Sequence, residues 1–211
     1  MAIKLIAFDW NGTLLADTKL VIKATNIARS AFGYPAISTL KYKKTFTIPV
    51  IDFWLATGGK KEDMKTEHLH FHPAYERLAK KAQMRPSARE LLLWLKKNKI
   101  AAVIYSNHTL PEITHKLKML RIKPFIKAVL ARRDAEDTIH LHQRNKQTKL
   151  QEYLRQQKLK PKEVVSVGDT EEEVEIGHSL GLHTVAITRD ENTIGRLKKH
   201  HPDFLIHNML E

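Results

Sequence analysis

The 211-residue sequence contains no cysteine, which excludes a disulfide framework, a thiol nucleophile and a Cys-ligated zinc site. No stretch approaches the ~18 consecutive apolar residues of a membrane span. The opening Met-Ala-Ile-Lys-Leu-Ile-Ala-Phe-Asp-Trp holds too short an apolar run for a secretory leader, so a cytoplasmic protein with no membrane partner is expected. Internal repeats and low-complexity tracts are also lacking. Glycine and proline number only eight each and act as local punctuation. Acidic residues are in deficit, with 23 Asp and Glu against 36 Lys and Arg, a net charge of +13. What is present is a 42% hydrophobic content, sufficient for a packed core and too high for a disordered chain.

The positive charge raises a nucleic-acid reading, because clustered Lys and Arg bind phosphates irrespective of sequence. Its distribution opposes that reading. Residues 15–85 carry a net +7, but their lysines come in ones and twos (Lys43 and Lys44, Lys60 and Lys61, Lys80 and Lys81) without interleaved aromatics. A solvated face that attracts small anions fits better, and nucleic acid is not expected as a partner. No pattern sets an oligomeric state.

Short apolar or β-branched runs recur at Lys4–Phe8, Ala101–Tyr105, Lys127–Ala131, Glu163–Val167, Thr184–Thr188 and Phe204–His207, with helical patterns between them. This alternation predicts an α/β fold, a Rossmann-like parallel sheet with helical crossovers. One interval is anomalous. A crossover needs about a dozen residues, yet about ninety separate Phe8 from Ala101. The amphipathic stretch 87–98 supplies the crossover helix, which leaves residues 16–84 as a small helical insert and residues 1–15 with 85–211 as the core. Within the insert, helices are expected over Asp17–Ala31, in a proline-interrupted piece around Phe46–Leu55, and over Lys61–Gln83 with a break at Pro73.

In an open parallel sheet, ligands bind beyond the carboxyl ends of the strands. The first strand ends in Asp9-Trp10-Asn11-Gly12-Thr13, the second in Ser106-Asn107, and the fourth in Gly168-Asp169-Thr170-Glu171-Glu172-Glu173. Ahead of the fourth strand lies Arg144-Asn145-Lys146-Gln147-Thr148-Lys149. A carboxylate directly after an apolar strand is costly without a role, which singles out Asp9. Thr109 to Glu112 reads as a capping box with a proline in the first turn, which leaves Ser106 free for a ligand. Thr170 to Glu173 also reads as a capping box, so Glu173 has both a structural and a metal-side reading. Lys146 and Lys149 lie one helical turn apart, and either could serve.

These motifs, in this order, resemble the haloacid dehalogenase superfamily, whose members carry Asp-x-Asp-x-Thr, a Ser or Thr, a Lys, and Gly-Asp-x-x-x-Asp. The resemblance spans the whole chain, and the insert resembles the helical cap of the phosphoglycolate phosphatase group. It implies Asp9 as nucleophile toward a small phosphorylated metabolite, with an aspartyl-phosphate intermediate. It implies Mg²⁺ held by Asp9, the Asn11 backbone carbonyl and Asp169, with Glu173 in place of the usual final Asp. Thr13, Ser106, Asn107 and Lys146 are implied on the substrate side, and specificity in the cap, around Lys43–Pro49 and Gly58–Lys61.

One departure matters. Where the phosphatases of this superfamily carry an acid/base Asp, the chain has Asn11, and a carboxamide cannot exchange protons at neutral pH. General acid–base catalysis is worth ~10²–10⁴-fold, so turnover of esters with poor leaving groups should be slow. The Asp9-Trp10-Asn11-Gly12-Thr13 run also resembles the phosphonoacetaldehyde hydrolases, which use a cap lysine as a Schiff base; Lys60 and Lys61 are the candidates. A third alternative is a pseudo-phosphatase that binds without turnover. Finally, His68-x-His70-x-His72 alternates as zinc ligands on a strand would, but its surroundings read as helix, where the three fan apart. His140-x-His142 reads as loop or edge.

Overall fold

The computed structural model describes residues 2–133 and 146–211. Six parallel strands form one sheet: β1 (Leu5–Phe8), β2 (Ala101–Thr109), β3 (Ala128–Arg132), β4 (Val164–Gly168), β5 (His183–Ile187) and β6 (Phe204–Ile206), in the order β3-β2-β1-β4-β5-β6. All six runs expected from the sequence are strands, although β2 continues past Tyr105 to Thr109 and its register with β3 shifts there. β1 lies at the centre with helices on both faces, and every residue of Leu-Ile-Ala-Phe is buried or nearly so. Below the site, Phe8, Trp10, Leu14, Leu92 and Ile104 pack on one face, and Leu5, Val103, Leu150 and Ile176 on the other.

Between β1 and β2 come α1 (Thr18–Ala31), α2 (Thr39–Thr45), α3 (Val50–Ala56), a 3₁₀ turn (Lys61–Lys65), α4 (Glu67–Ala79) and α5 (Ala88–Lys97). Helices α6 (Leu110–Met119), α7 (Lys146–Gln156), α8 (Glu171–Leu180) and α9 (Glu191–Lys198) follow among the described residues. Helices α1 to α4 bury their own clusters, Ile22 with Tyr42 and Phe53, Ala24 with Ala74 and Tyr75, and Trp54 with Met64. The chain leaves and returns to the sheet through two adjacent segments: Ala16 N–H donates to Gln83 O at 2.9 Å and Arg85 N–H to Leu14 O at 2.8 Å.

Two expectations fail here. Helix α4 runs through Pro73 unbroken, and the break falls earlier, at Thr66. Proline removes one backbone donor, but the carbonyl it would have met belongs to Leu69, which is exposed to water, while Ala74 and Tyr75 beyond it are buried and hold the helix in place. Helix α2 lies where no helix was expected, since Tyr42 is the only buried residue in Thr39–Thr45 and no amphipathic pattern forms.

Candidate active site

Register brings the motifs together. Phe8 pairs with Ile104 on one side and Val167 on the other, so the residues just beyond them, Asp9, Ser106 and Asp169, emerge at one edge of the sheet. Asp9 is 7% exposed, and its N–H donates to Val167 O at 2.9 Å. Lys146, the first residue of α7, is 3% exposed and places Nζ 3.2 Å from Asp9 Oδ1 and 3.0 Å from Glu172 Oε2, in contact also with Glu173 Oε1. Lys149 instead donates to the Ala131 carbonyl at 2.8 Å, so of the two lysines only Lys146 meets Asp9. Arg144, Asn145, His140 and His142 lie outside the described residues.

The turn after Asp9 is shaped by glycine and a buried acid. Gly12 has φ +74°, and a Cβ there would fall inside the Asp169 carboxylate, so only glycine lets the turn and Asp169 approach this closely. Thr13 is fully buried and donates its hydroxyl to Asp169 Oδ1 at 3.0 Å. It therefore orients a carboxylate. Arg85 fixes the turn from below through the Gly12 and Thr13 carbonyls. Asp17, completely buried, accepts from Gly12 N–H at 2.7 Å, from Asn11 Nδ2 at 2.6 Å and from the Tyr75 hydroxyl. Asn11 also donates to Tyr75 Oη at 2.8 Å.

Ser106 is buried, and its Oγ accepts from His108 N–H at 3.1 Å, which leaves its hydroxyl proton available to donate. The expected capping box at Thr109 does not form. Thr109 donates its hydroxyl to Glu112 at 2.8 Å, and His108 Nε2 meets the same carboxylate at 2.7 Å. Asn107 points Nδ2 at Glu172 Oε2 at 2.9 Å and so braces the acidic cluster. The second capping box does form. Glu173 Oε2 accepts from Thr170 N–H at 3.1 Å and from its hydroxyl at 2.6 Å, while Oε1 meets Lys146. Gly168 permits this, because a Cβ there would collide with Glu173.

Among the described residues, three carboxylates, Asp9, Glu172 and Glu173, thus face the Lys146 ammonium, with Asp169 beside them. Burial lifts the Asp9 carboxyl well above its usual range; Lys146 opposes this, and Glu173 and Asp169 add to it. Asp169 is raised to about 6 by burial and by Glu173. Burial works against a charged Lys146, but Asp9, Glu172 and Glu173 outweigh it and hold the lysine protonated. Such a negative excess in a buried site calls for a cation, and the donors are the hard oxygens that Mg²⁺ prefers. No closed cage of three His, Asp or Glu side chains exists among the described residues; Mg²⁺ typically takes one or two carboxylates and keeps several waters. Asp9, the Asn11 carbonyl and Asp169 fit that pattern, whereas both oxygens of Glu173 already have partners.

Over this edge, helices α1 to α4 enclose a cleft of about 480 Å³. Val21, Tyr42, Phe46, Phe53, Phe71 and Tyr75 line it from the insert. The Tyr42 phenol is pushed above its usual range by burial and by the Asp169 and Asp17 carboxylates. Lys60 and Lys61 are exposed and do not line the cleft; the insert lysines that do are Lys19 and Lys43. His68, His70 and His72 fan out on α4 as expected of a helix, with His72 buried against Arg132 and His70 beside Phe32. Asp17, Tyr75, Glu172 and His108 are site residues to which sequence reasoning assigned no role. For Glu172 a local signal existed in the acidic run after Gly168, and for Asp17 in its place at the helix start. Nothing local marks Tyr75.

Residues 6–187 match the haloacid dehalogenase-like hydrolase family, and the chain belongs to it. It is 24% identical over 216 residues to the pyrophosphatase PpaX of Bacillus cereus, covering 99% of this chain and 94% of that protein. Among solved structures, a haloacid dehalogenase-like family protein from Streptococcus pneumoniae superposes with a TM-score of 0.82 at 21% identity, over 99% of this chain and 95% of the other. A protein described as a predicted phosphoglycolate phosphatase from Haemophilus somnus gives 0.76 at 19%, over 96% and 93%. The α/β architecture expected from the strand pattern is therefore that of this family. No helix among the described residues is long and apolar enough to cross a membrane.

Proposed function

We propose that the protein is a cytoplasmic, Mg²⁺-dependent phosphatase that hydrolyses a small phosphorylated metabolite through an aspartyl phosphate on Asp9, with residues 16–84 as a cap over a core of residues 1–15 and 85–211. The observation that carries this reading is the convergence of Asp9, Lys146 and Asp169 at one sheet edge, with Lys146 Nζ 3.2 Å from Asp9. An Asp9 carboxylate oxygen attacks phosphorus as the bond to the leaving oxygen breaks, and water then cleaves the acyl phosphate to return Asp9 and release phosphate. Lys146 and the Ser106 hydroxyl neutralise and bind the phosphoryl oxygens. Mg²⁺, held by Asp9, the Asn11 carbonyl and Asp169, would add charge that lets two anions meet.

Asn11 cannot hand a proton to the leaving group, and its amide is committed to Asp17 and Tyr75. Turnover is therefore expected to favour leaving groups that depart without protonation. The relatives named pyrophosphatases are in keeping with this, since an anhydride expels a stable phosphate. A Schiff-base mechanism on Lys60 or Lys61 gains no support, because neither lines the cleft.

The test is phosphate release from a metabolite panel with Mg²⁺ and with EDTA, repeated for Asp9→Asn. Release should require both the metal and the carboxylate, and acid quenching of the parent enzyme should trap phosphate on the Asp9 peptide. Full activity of Asp9→Asn would end the aspartyl-phosphate reading, and binding without release would leave a pseudo-phosphatase.

A further inference from the structure

The cleft over Asp9 is walled by rings. From α2 and α3, Tyr42 stacks on Phe46 with centroids 4.7 Å apart, and Phe53 meets both edge-on at 5.3 and 5.4 Å. From α4, Phe71 stacks on Tyr75 at 5.8 Å, and Tyr75 meets the His108 ring of the core edge-on at 5.2 Å. Phe46 and Phe71 remain partly exposed, and Val21 and Val50 also line the cleft. A flat apolar group is what such surfaces bind best, because rings gain both area burial and face-to-edge contacts.

Four cations of the same cleft are already engaged, while Lys19 points to solvent at its edge. Lys43 pairs with Asp190 at 2.7 Å, Arg85 holds the Gly12 and Thr13 carbonyls, Arg189 donates to His207 O at 2.7 Å, and Arg196 pairs with Glu171. A second phosphate or carboxylate on the substrate would have to displace these partners or rely on the exposed Lys19 alone, and would face the Asp190 carboxylate, which also lines the cleft. The wall therefore suits a neutral ring better than a second anion.

From the ring wall and the amide at position 11 together, we infer that the substrate class is the phosphate monoester of an aromatic hydroxyl compound, its ring held between Phe46 and Phe71. This inference rests on the phosphatase reading above. The two observations are independent and converge. The wall selects the shape of the leaving group, and Asn11 selects its acidity, since a phenolate departs without the proton that an alkoxide demands. In the balanced step, the P–O bond to the ring oxygen breaks as the bond to the Asp9 oxygen forms, and the phenolate takes its proton from solvent.

Binding and turnover test it separately. Phenylphosphonate, cyclohexylphosphonate, methylphosphonate and methylenediphosphonate cannot be hydrolysed as esters, so their Kd values with Mg²⁺ report the wall alone. Phenylphosphonate should bind at least about tenfold tighter than each of the others. Phe46→Ala and Phe71→Ala should each shrink the phenyl-to-methyl ratio by about threefold or more, a change in selectivity that loss of folded protein would not produce. For turnover, phenyl phosphate and benzyl phosphate should share similar KM values, while kcat for the benzyl ester falls by about 100-fold, within the range of a missing general acid.

Equal binding of phenyl and methyl phosphonates would overturn the inference, as would tightest binding by the diphosphonate. Cyclohexylphosphonate matching the phenyl compound would reduce the wall to a merely apolar one and overturn the aromatic class. Selective phenylphosphonate binding with no phosphate release from any ester would instead strike the phosphatase reading and leave the ring site standing.

Discussion

Asn11 Nδ2 lies 2.6 Å from Asp17 Oδ2, and both atoms share the Tyr75 hydroxyl as a third partner. The amide is thus the donor that a buried carboxylate needs. A carboxyl group in its place would bring two acids into hydrogen-bond contact, and such pairs retain one proton between them. Asn11→Asp should therefore create a group that is protonated at neutral pH, and turnover of alkyl phosphates should rise by ~10-fold, at the low end of the general-acid range. Steady-state rates on matched alkyl and aryl phosphates check this; an unchanged or lower alkyl rate would show that Asn11 is not standing in for an acid.

Gly12→Ala should be severe for a different reason. The new methyl group would occupy the place of the Asp169 carboxylate, and φ of +74° strains any side chain. Displacing a catalytic group by about 1 Å can cost 10²-fold, so kcat/KM should fall at least about 100-fold and the Mg²⁺ concentration for half-maximal rate should rise. Retention of normal metal dependence would argue that Asp169 is not a ligand.

Lys146 and Lys149 should separate cleanly. Lys146 pairs with Asp9, Glu172 and Glu173, and removing one partner of a buried charge cluster typically costs about 3–5 kcal/mol. Lys146→Ala should lose activity and much of its stability. Lys149→Ala loses the bond to the Ala131 carbonyl, worth about 1 kcal/mol in denaturant unfolding, and should retain activity, because Lys149 does not meet Asp9. Similar losses in both variants would contradict the assignment.

These contrasts show which features the sequence carried and which it did not. Strand positions and the motifs at their ends were legible because an apolar run and the polar residues that follow it are local. The choice between Lys146 and Lys149 was not, because either fits the same helix, and only the packing of α7 against β2 and β3 decides which faces Asp9. Tyr75 reaches Asp17 across 58 positions from the middle of a helix, and no local pattern encodes that contact. The net charge of the insert misled for a related reason. It counts lysines without placing them, and Lys60 and Lys61 turned out to face solvent away from the cleft.

Glu67 gives a pH signature. It lies in the first turn of α4, is 4% exposed, and burial raises its carboxyl to about 7. Its folded value exceeds the unfolded one of about 4.5, so the associated stability is complete below about pH 4.5 and is lost as pH rises through about 7. Glu67→Gln should unfold much like the parent at about pH 4.5 and be more stable at about pH 8, by up to about 3 kcal/mol. Urea titrations at both values measure the difference, and parallel stability curves would place the Glu67 charge in water.

The central place of β1 bears on how the molecule is made. Leu5 leaves the ribosome well before either of its register partners, Ala101 and Val164. Loop closure over such spans is slow, and synthesis proceeds at ~5–20 residues per second. The strand that ends at Asp9 is therefore translated before both of its neighbours and paired late, after the intervening helices have had time to fold upon themselves. A nascent chain halted before Lys146 would carry Asp9 without the ammonium that faces its carboxylate.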